Sequence, residues 1–119
     1  MSGQNSDIVF NAAVLDSLKE AIGNDINRII GVYLEDVPKT IVSMTGALKN
    51  AEYETVFRMA HSLKSSSANV GAMQTSQIAA ALEKKVKEGL RDHKEIAAEI
   101  AKLEQSFAQT QPMFINYIG

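Results

Sequence analysis

Met59-Ala60-His61-Ser62-Leu63-Lys64-Ser65-Ser66-Ser67-Ala68-Asn69-Val70-Gly71-Ala72 is a helical stretch with one residue displaced from its buried face. Ala60, Leu63, Ser67 and Val70 recur at three- and four-residue steps, which places them on one side of a helix. At ~100° per residue, with Ala60 at the centre of that stripe, His61 lies about 100° round, at the stripe's edge. Lys64 is then about 60° from His61 and Ser65 about 40° from it, each one turn along, with Ala68 on the same flank a turn further. Gly71 reads as a left-handed terminator. An imidazole therefore stands at the surface with an ammonium beside it and small side chains below.

Working upstream, this helix follows a short link at Asn50-Ala51. Glu52 and Glu54 fall in its first turn, where negative charge suits the helix dipole, and Tyr53 and Val56 begin its stripe. Before the link, Ile26, Ile29, Ile30, Tyr33, Leu34, Val37, Ile41, Met44, Ala47 and Leu48 keep the same spacing straight across Pro38. That unbroken phase predicts one helix, bent near Leu34 to Pro38, where the proline removes a donor and crowds the preceding turn. Asn24 or Asp25 is expected to cap it. Gly23 stops a shorter first helix over 8–22, with Phe10, Val14, Leu15, Leu18 and Ile22 inward. Residues 1–7 are polar and read as a frayed tail, leaving 8–119 as one helical domain.

Downstream, a fourth helix is predicted from Met73 to Glu88, with Ile78, Ala79, Leu82 and Val86 inward, Lys84, Lys85 and Lys87 mostly outward, and Gly89 at its end. Asp92 and Glu95 form a capping box for the last helix. That helix turns Ile96, Ile100, Leu103 and Phe107 inward and is expected to run to about Gln109. Pro112 either kinks it or ends it before a packed tail of Met113, Phe114, Ile115, Tyr117 and Ile118. His93, between Asp92 and Lys94, reads as plain surface. Short links favour antiparallel neighbours, so the expected fold is all-α: an antiparallel up-down four-helix bundle with an additional short N-terminal helix.

Composition narrows the function. The 119 residues suffice for one domain with its own core, and a monomer is the default. There is no cysteine, which removes disulfides and thiolate metal sites. A net charge of -2 without a basic face argues against nucleic acid. No apolar run approaches the roughly 20 residues of a membrane span, and the N-terminus has no basic-then-apolar signal pattern. A cytoplasmic chain, or a cytoplasmic piece of a larger one, is expected. No Gly-rich phosphate loop occurs, so the chain has no kinase or ATP-binding motif of its own.

Chemistry then converges on His61. Neutral imidazole is a nucleophile near pH 7. A lysine one turn away repels a metal cation, yet suits a phosphoryl group, whose oxygens need positive charge. The pair points to phosphorylation of His61 with Lys64 steadying the phosphate. The bland reading is a solvated histidine and lysine on a helix flank, with the serine run merely allowing close packing, as Ser67 is expected to do.

The stretch resembles the histidine-containing phosphotransfer (HPt) family of two-component phosphorelays, whose pattern is roughly Ala-His-x-Leu-Lys-Gly, then small residues, then an aliphatic-Gly pair. Ala60-His61-Ser62-Leu63-Lys64, the small residues after it and Val70-Gly71 carry the likeness. It extends upstream to Tyr33-Leu34, Pro38, Ile41, Met44, Ala47 and Leu48, similar to the family's kinked second helix, and downstream to Leu82-Glu83. Residues 26 to 89 are covered most clearly. The resemblance implies that His61 is phosphorylated on its solvent-facing ring nitrogen, that Lys64 contacts the phosphoryl oxygens, and that Glu83 faces the other ring nitrogen. It places Ser65, Ala68 and, more weakly, Lys87 near the phosphate or the partner. Ser65 departs from the family's usual glycine and Thr75 from a usual leucine.

The implied role is a relay, in which a receiver-domain phospho-aspartate passes its phosphoryl group to His61 and His61 passes it to a second receiver. Partners would be receiver domains and possibly a hybrid sensor histidine kinase. No cofactor is expected here; Mg2+ would belong to the receiver. The docking face would come from the first two helices and the small residues of the third. The alternatives are an HPt-like adaptor that binds a receiver or kinase without taking phosphate, and a metal-binding bundle, which two distant histidines disfavour.

Overall fold

The computed structural model describes residues 9–118. The elements are α1 (Ala12–Ile22), α2 (Asp25–Lys49), α3 (Tyr53–Asn69), α4 (Met73–Lys87) and α5 (His93–Ile118). Helices α2 to α5 pack as a ring in which α3 lies between α2 and α4, and α5 between α4 and α2, while α1 packs on α2. This is the expected bundle with its additional short helix. The proposed tail, 1–7, lies outside the described residues, as does the first residue proposed for α1.

The predicted stripes form the core. Leu15, Ile30, Met44, Val56, Ala60, Leu82, Ile96 and Leu103 are completely buried. Burying a Leu, Ile or Met side chain contributes about 1.5–3 kcal/mol, so these residues outweigh any propensity term in their helices. Gly23, Gly71 and Gly89 all have positive φ at helix ends, as their positions predict.

Helix α2 crosses Pro38 as a single element, with Val37 and Ile41 buried on either side of it. The expected cap of α2 is not made: Asn24 is already helical and gives no side-chain bond, and Asp25 turns to Arg28, 3.8 Å away. Backbone carbonyls of Gly23 and Asn24 accept from the Ile26 and Asn27 N–H groups instead, through a tight turn. Helix α1 has the cap that sequence reading overlooked, with Asn11 Oδ1 accepting from the Ala13 N–H at 3.0 Å.

Helix α5 does not stop near Gln109. It continues through Pro112 to Ile118. A helix-interior proline costs about 3 kcal/mol. Tertiary packing offsets that cost: Phe114 is fully buried, its ring 4.9 Å from Phe10 and 5.4 Å from Tyr33, and Tyr117 donates to Asp16 at 2.8 Å. The segment is thus one packed helical face, with Ile115 and Ile118 outside. At the start of α5, Asp92 caps Glu95 N–H at 3.1 Å, while the Glu95 carboxylate turns to Lys85.

A chain of hydroxyls crosses the core. Tyr33 pairs with Ser67 at 2.7 Å, Thr75 with Ser106 at 2.8 Å, and Thr110 donates to the Ser106 carbonyl. Ser67 is therefore a hydrogen-bonding partner inside the bundle as well as a small packing residue. Burial pushes the Tyr33 hydroxyl up to about 12.

Glu99, also buried, joins α5 to α4 through Lys85 at 2.8 Å and takes a second bond from Lys102 at 3.3 Å. Burial raises its carboxyl, and the two lysines outweigh that effect, so it titrates below the usual range. A lowered folded-state pKa adds stability that is complete above the unfolded value of ~4.3 and is lost as pH falls through the folded value. Glu99→Gln is accordingly expected to cost about 1–2 kcal/mol at pH 7 in urea unfolding. The difference from the parent chain should shrink steadily as pH falls below the unfolded value of ~4.3 and through the lower folded one; a gap that does not narrow on acidification would contradict this account.

Candidate functional site

The site is built on the α3–α4 hairpin. The turn between them is closed by Val70, Gly71 and Ala72: Ala72 N–H reaches the Ser67 carbonyl at 2.8 Å and Gly71 N–H the Ala68 carbonyl at 3.2 Å. Ala60 on α3 and Ala79 on α4 are both fully buried and small, which lets the two helices approach closely. Glu83, ten residues into α4, is thereby set beside the middle of α3.

His61 stands at the edge of the buried stripe, its side chain 58 % exposed. Its Nδ1 lies 2.5 Å from Glu83 Oε2. The other oxygen of the same carboxylate, Oε1, accepts from Lys64 Nζ at 2.8 Å. Glu83 is itself only 13 % exposed, so it is a shielded anion bridging two cation-capable groups. The Lys64 hydrogen bond holds its carboxyl below the usual range against the opposing effect of burial, and the His61 bond adds to this. With Glu83 ionised, Nδ1 is the ring nitrogen that carries the proton, leaving a lone pair on Nε2. The arrangement presents an oriented nucleophilic nitrogen whose far side faces an anchored negative charge.

Of the residues singled out in the sequence, His61, Lys64 and Glu83 come together. Ser65 is exposed and Ala68 half-buried along the same flank of α3. Lys87 makes no hydrogen bond or salt bridge with His61, Lys64 or Glu83. It is exposed and lines a separate shallow groove with Tyr53, Glu54, Phe57 and Arg91, toward the start of α3. Because α3 and α4 run in opposite directions, one turn of α4 beyond Glu83 lies opposite the turn of α3 before His61, where Phe57 sits.

Two features were not legible beforehand. His93 is not plain surface: its Nε2 lies 2.7 Å from the Tyr53 hydroxyl, joining the starts of α3 and α5, with Arg91 stacked over the Tyr53 ring at 4.6 Å. On the other flank of α3, Ser62, Ser66 and Asn69 line a groove of about 320 Å³ with Ile29, Val32, Tyr33, Asp36 and Val37 of α2. Val32 is 47 % exposed there. The exposed ridge of α3 therefore runs between this largely apolar groove and the His61–Glu83 pair.

Among the described residues, no three metal-ligating side chains converge, and no helix is long and apolar enough to cross a membrane. Residues 28–111 match the family model described as Hpt domain. No curated protein matches the chain. Its fold is similar to that in the crystal structure of histidine-containing phosphotransfer protein B (HptB) from Pseudomonas aeruginosa PAO1, with a TM-score of 0.86 over 92 % of this chain and 94 % of that one, at 24 % sequence identity.

Proposed function

We propose, because the chain belongs to the Hpt domain family, that His61 is the residue through which it carries a phosphoryl group. The family's function is histidine phosphotransfer in two-component phosphorelays, and its members interact with receiver domains and kinases. The observation that supports His61 is the Glu83 bridge, which engages Nδ1 and leaves Nε2 free in a position open to a partner.

In the proposed step, the Nε2 lone pair attacks the phosphorus of a receiver's phospho-aspartate. The Nε2–P bond forms as the acyl P–O bond breaks, and the aspartate carboxylate leaves with the electron pair. No proton has to leave Nε2. The ring becomes a cation, which the Glu83 carboxylate stabilises through Nδ1–H. Lys64 is paired with Glu83 in the resting state, so its flexible ammonium swings from Oε1 to the phosphoryl oxygens. The reverse reaction loads a second receiver. The receiver supplies the metal ion and remaining catalytic groups, and this domain needs no cofactor. Ser65 and Ala68 leave room for the approaching receiver, which rests on the apolar groove between α2 and α3. The domain acts as a monomer in the cytoplasm.

Incubating the domain with a phosphorylated receiver tests this reading. Label should move to the domain, be labile in acid and stable in base, and map to the peptide containing His61. Failure to take up label while still binding the receiver would favour the adaptor reading.

Glu83→Ala is expected to slow transfer by about 10–100-fold, since it removes both the holder of Nδ1–H and the resting partner of Lys64. Glu83→Gln should retain more activity, because its amide oxygen still accepts from Nδ1–H. Initial transfer rates measure this, and a Glu83→Ala rate equal to the parent's would remove Glu83 from the mechanism.

A further inference from the structure

Ser76 sits on α4 seven residues before Glu83, two turns along the same helix face. It is buried, and its hydroxyl donates to the Lys64 backbone carbonyl on α3 at 2.8 Å. Lys64 is thus held by α4 at both ends, its carbonyl by Ser76 and its ammonium by Glu83 at 2.8 Å. A hydroxyl reaching across to a helix-interior carbonyl, which already has its own intrahelical donor, is not required to satisfy α3.

The bond matters because of what surrounds it. Between Ser76 and Glu83, α4 turns Ala79 and Leu82 into the core, both fully buried, as are Ala60 and Leu63 on α3. Apolar burial of this kind is non-directional: it holds the two helices together without aiming one polar group at another. A directional hydrogen bond at one end of that face ties the backbone of α3 to a fixed point on α4. A slide of α4 by about 1.5 Å, one residue's rise, would take the carboxylate out of reach of one or both partners.

We infer that Ser76 is a positioning residue, which sets the register of α4 on α3 at which the Glu83 carboxylate meets both His61 and Lys64. Its relevance to transfer rests on the reading of His61 as the phosphorylated residue, whereas its effect on the His61 ring does not.

The test uses the full chain with 15N-labelled histidine. In the parent, the neutral His61 ring should carry its proton on Nδ1. In Ser76→Ala, which favours helix and so keeps the fold, the population protonated on Nε2 should rise several-fold and transfer should slow by about 3–10-fold. Thr110→Val, which deletes another buried hydroxyl within α5, should change neither. An unchanged tautomer in Ser76→Ala, or an equal change in Thr110→Val, overturns the inference. A tautomer shift in Ser76→Ala, together with a parent chain that never takes phosphate, would leave the positioning role standing and sink the phosphotransfer reading alone.

Discussion

His61→Gln is expected to reduce acid-labile phosphate on the domain to background while leaving the fold intact. The asymmetry follows from where the side chain sits. His61 is more than half exposed and lies off the buried stripe, so its removal opens no cavity, and a surface substitution of this kind changes stability by within about 0.5 kcal/mol. Glutamine can still donate an amide N–H to Glu83 and preserve the bridge. What it lacks is the lone pair on a ring nitrogen, for which nothing nearby substitutes. Lys64 is the only other nitrogen nucleophile in the cluster, and its ammonium is paired with Glu83. His93 is engaged with Tyr53 at the start of α5. Thermal melts that superimpose, with label lost, would meet the expectation. Acid-labile label that survives and maps to His93 would overturn the assignment of the site.

The second large effect concerns Gly71. It occupies φ +83 in the α3–α4 turn, and a Cβ built there overlaps the Asn11 carbonyl oxygen and comes to 3.3 Å from Val14 Cβ. The obstacle is backbone, which cannot rotate aside as a side chain can. The Gly71 carbonyl also accepts the Asn11 N–H at 2.8 Å. Gly71→Ala therefore combines left-handed strain with displacement of the residue that caps α1. The expected loss is about 2–4 kcal/mol by chemical denaturation. Gly89→Ala isolates the strain component, since Gly89 has φ +106 with nothing within 4 Å; about 1–2 kcal/mol is expected there. Equal losses in the two variants would show that docking of α1 against the turn is unimportant. Gly71→Ala should lower phosphate uptake only in proportion to the fraction unfolded.

The domain combines a rigid core with a lightly held surface pair. Glu83 is fixed by its helix and its burial. The Lys64 ammonium is held by a salt bridge that a phosphoryl group can replace. Stability and chemistry are thus drawn from different residues, which is why His61→Gln and Gly71→Ala are expected to separate them.

Periodicity alone determined the helices and their inward faces, because apolar burial dominates the energy and leaves a repeat of three and four that even Pro38 does not interrupt. It also placed His61 at the stripe's edge and Lys64 one turn on, since both follow from angles within a single helix. The Glu83 partnership came from family likeness, and only the packing of α4 on α3 brought that carboxylate onto both side chains. The place of Lys87 is of the same kind: its distance from His61 depends on the antiparallel register of two helices, which no local pattern encodes. The end of α5 was likewise settled by Phe114 meeting Phe10 and Tyr33 from distant parts of the chain, a contact strong enough to carry a helix through proline. At His61 itself, sequence supplied the nucleophile and its place on the surface. Tertiary structure decided which of its nitrogens is free to react, because that choice belongs to a carboxylate twenty-two residues away.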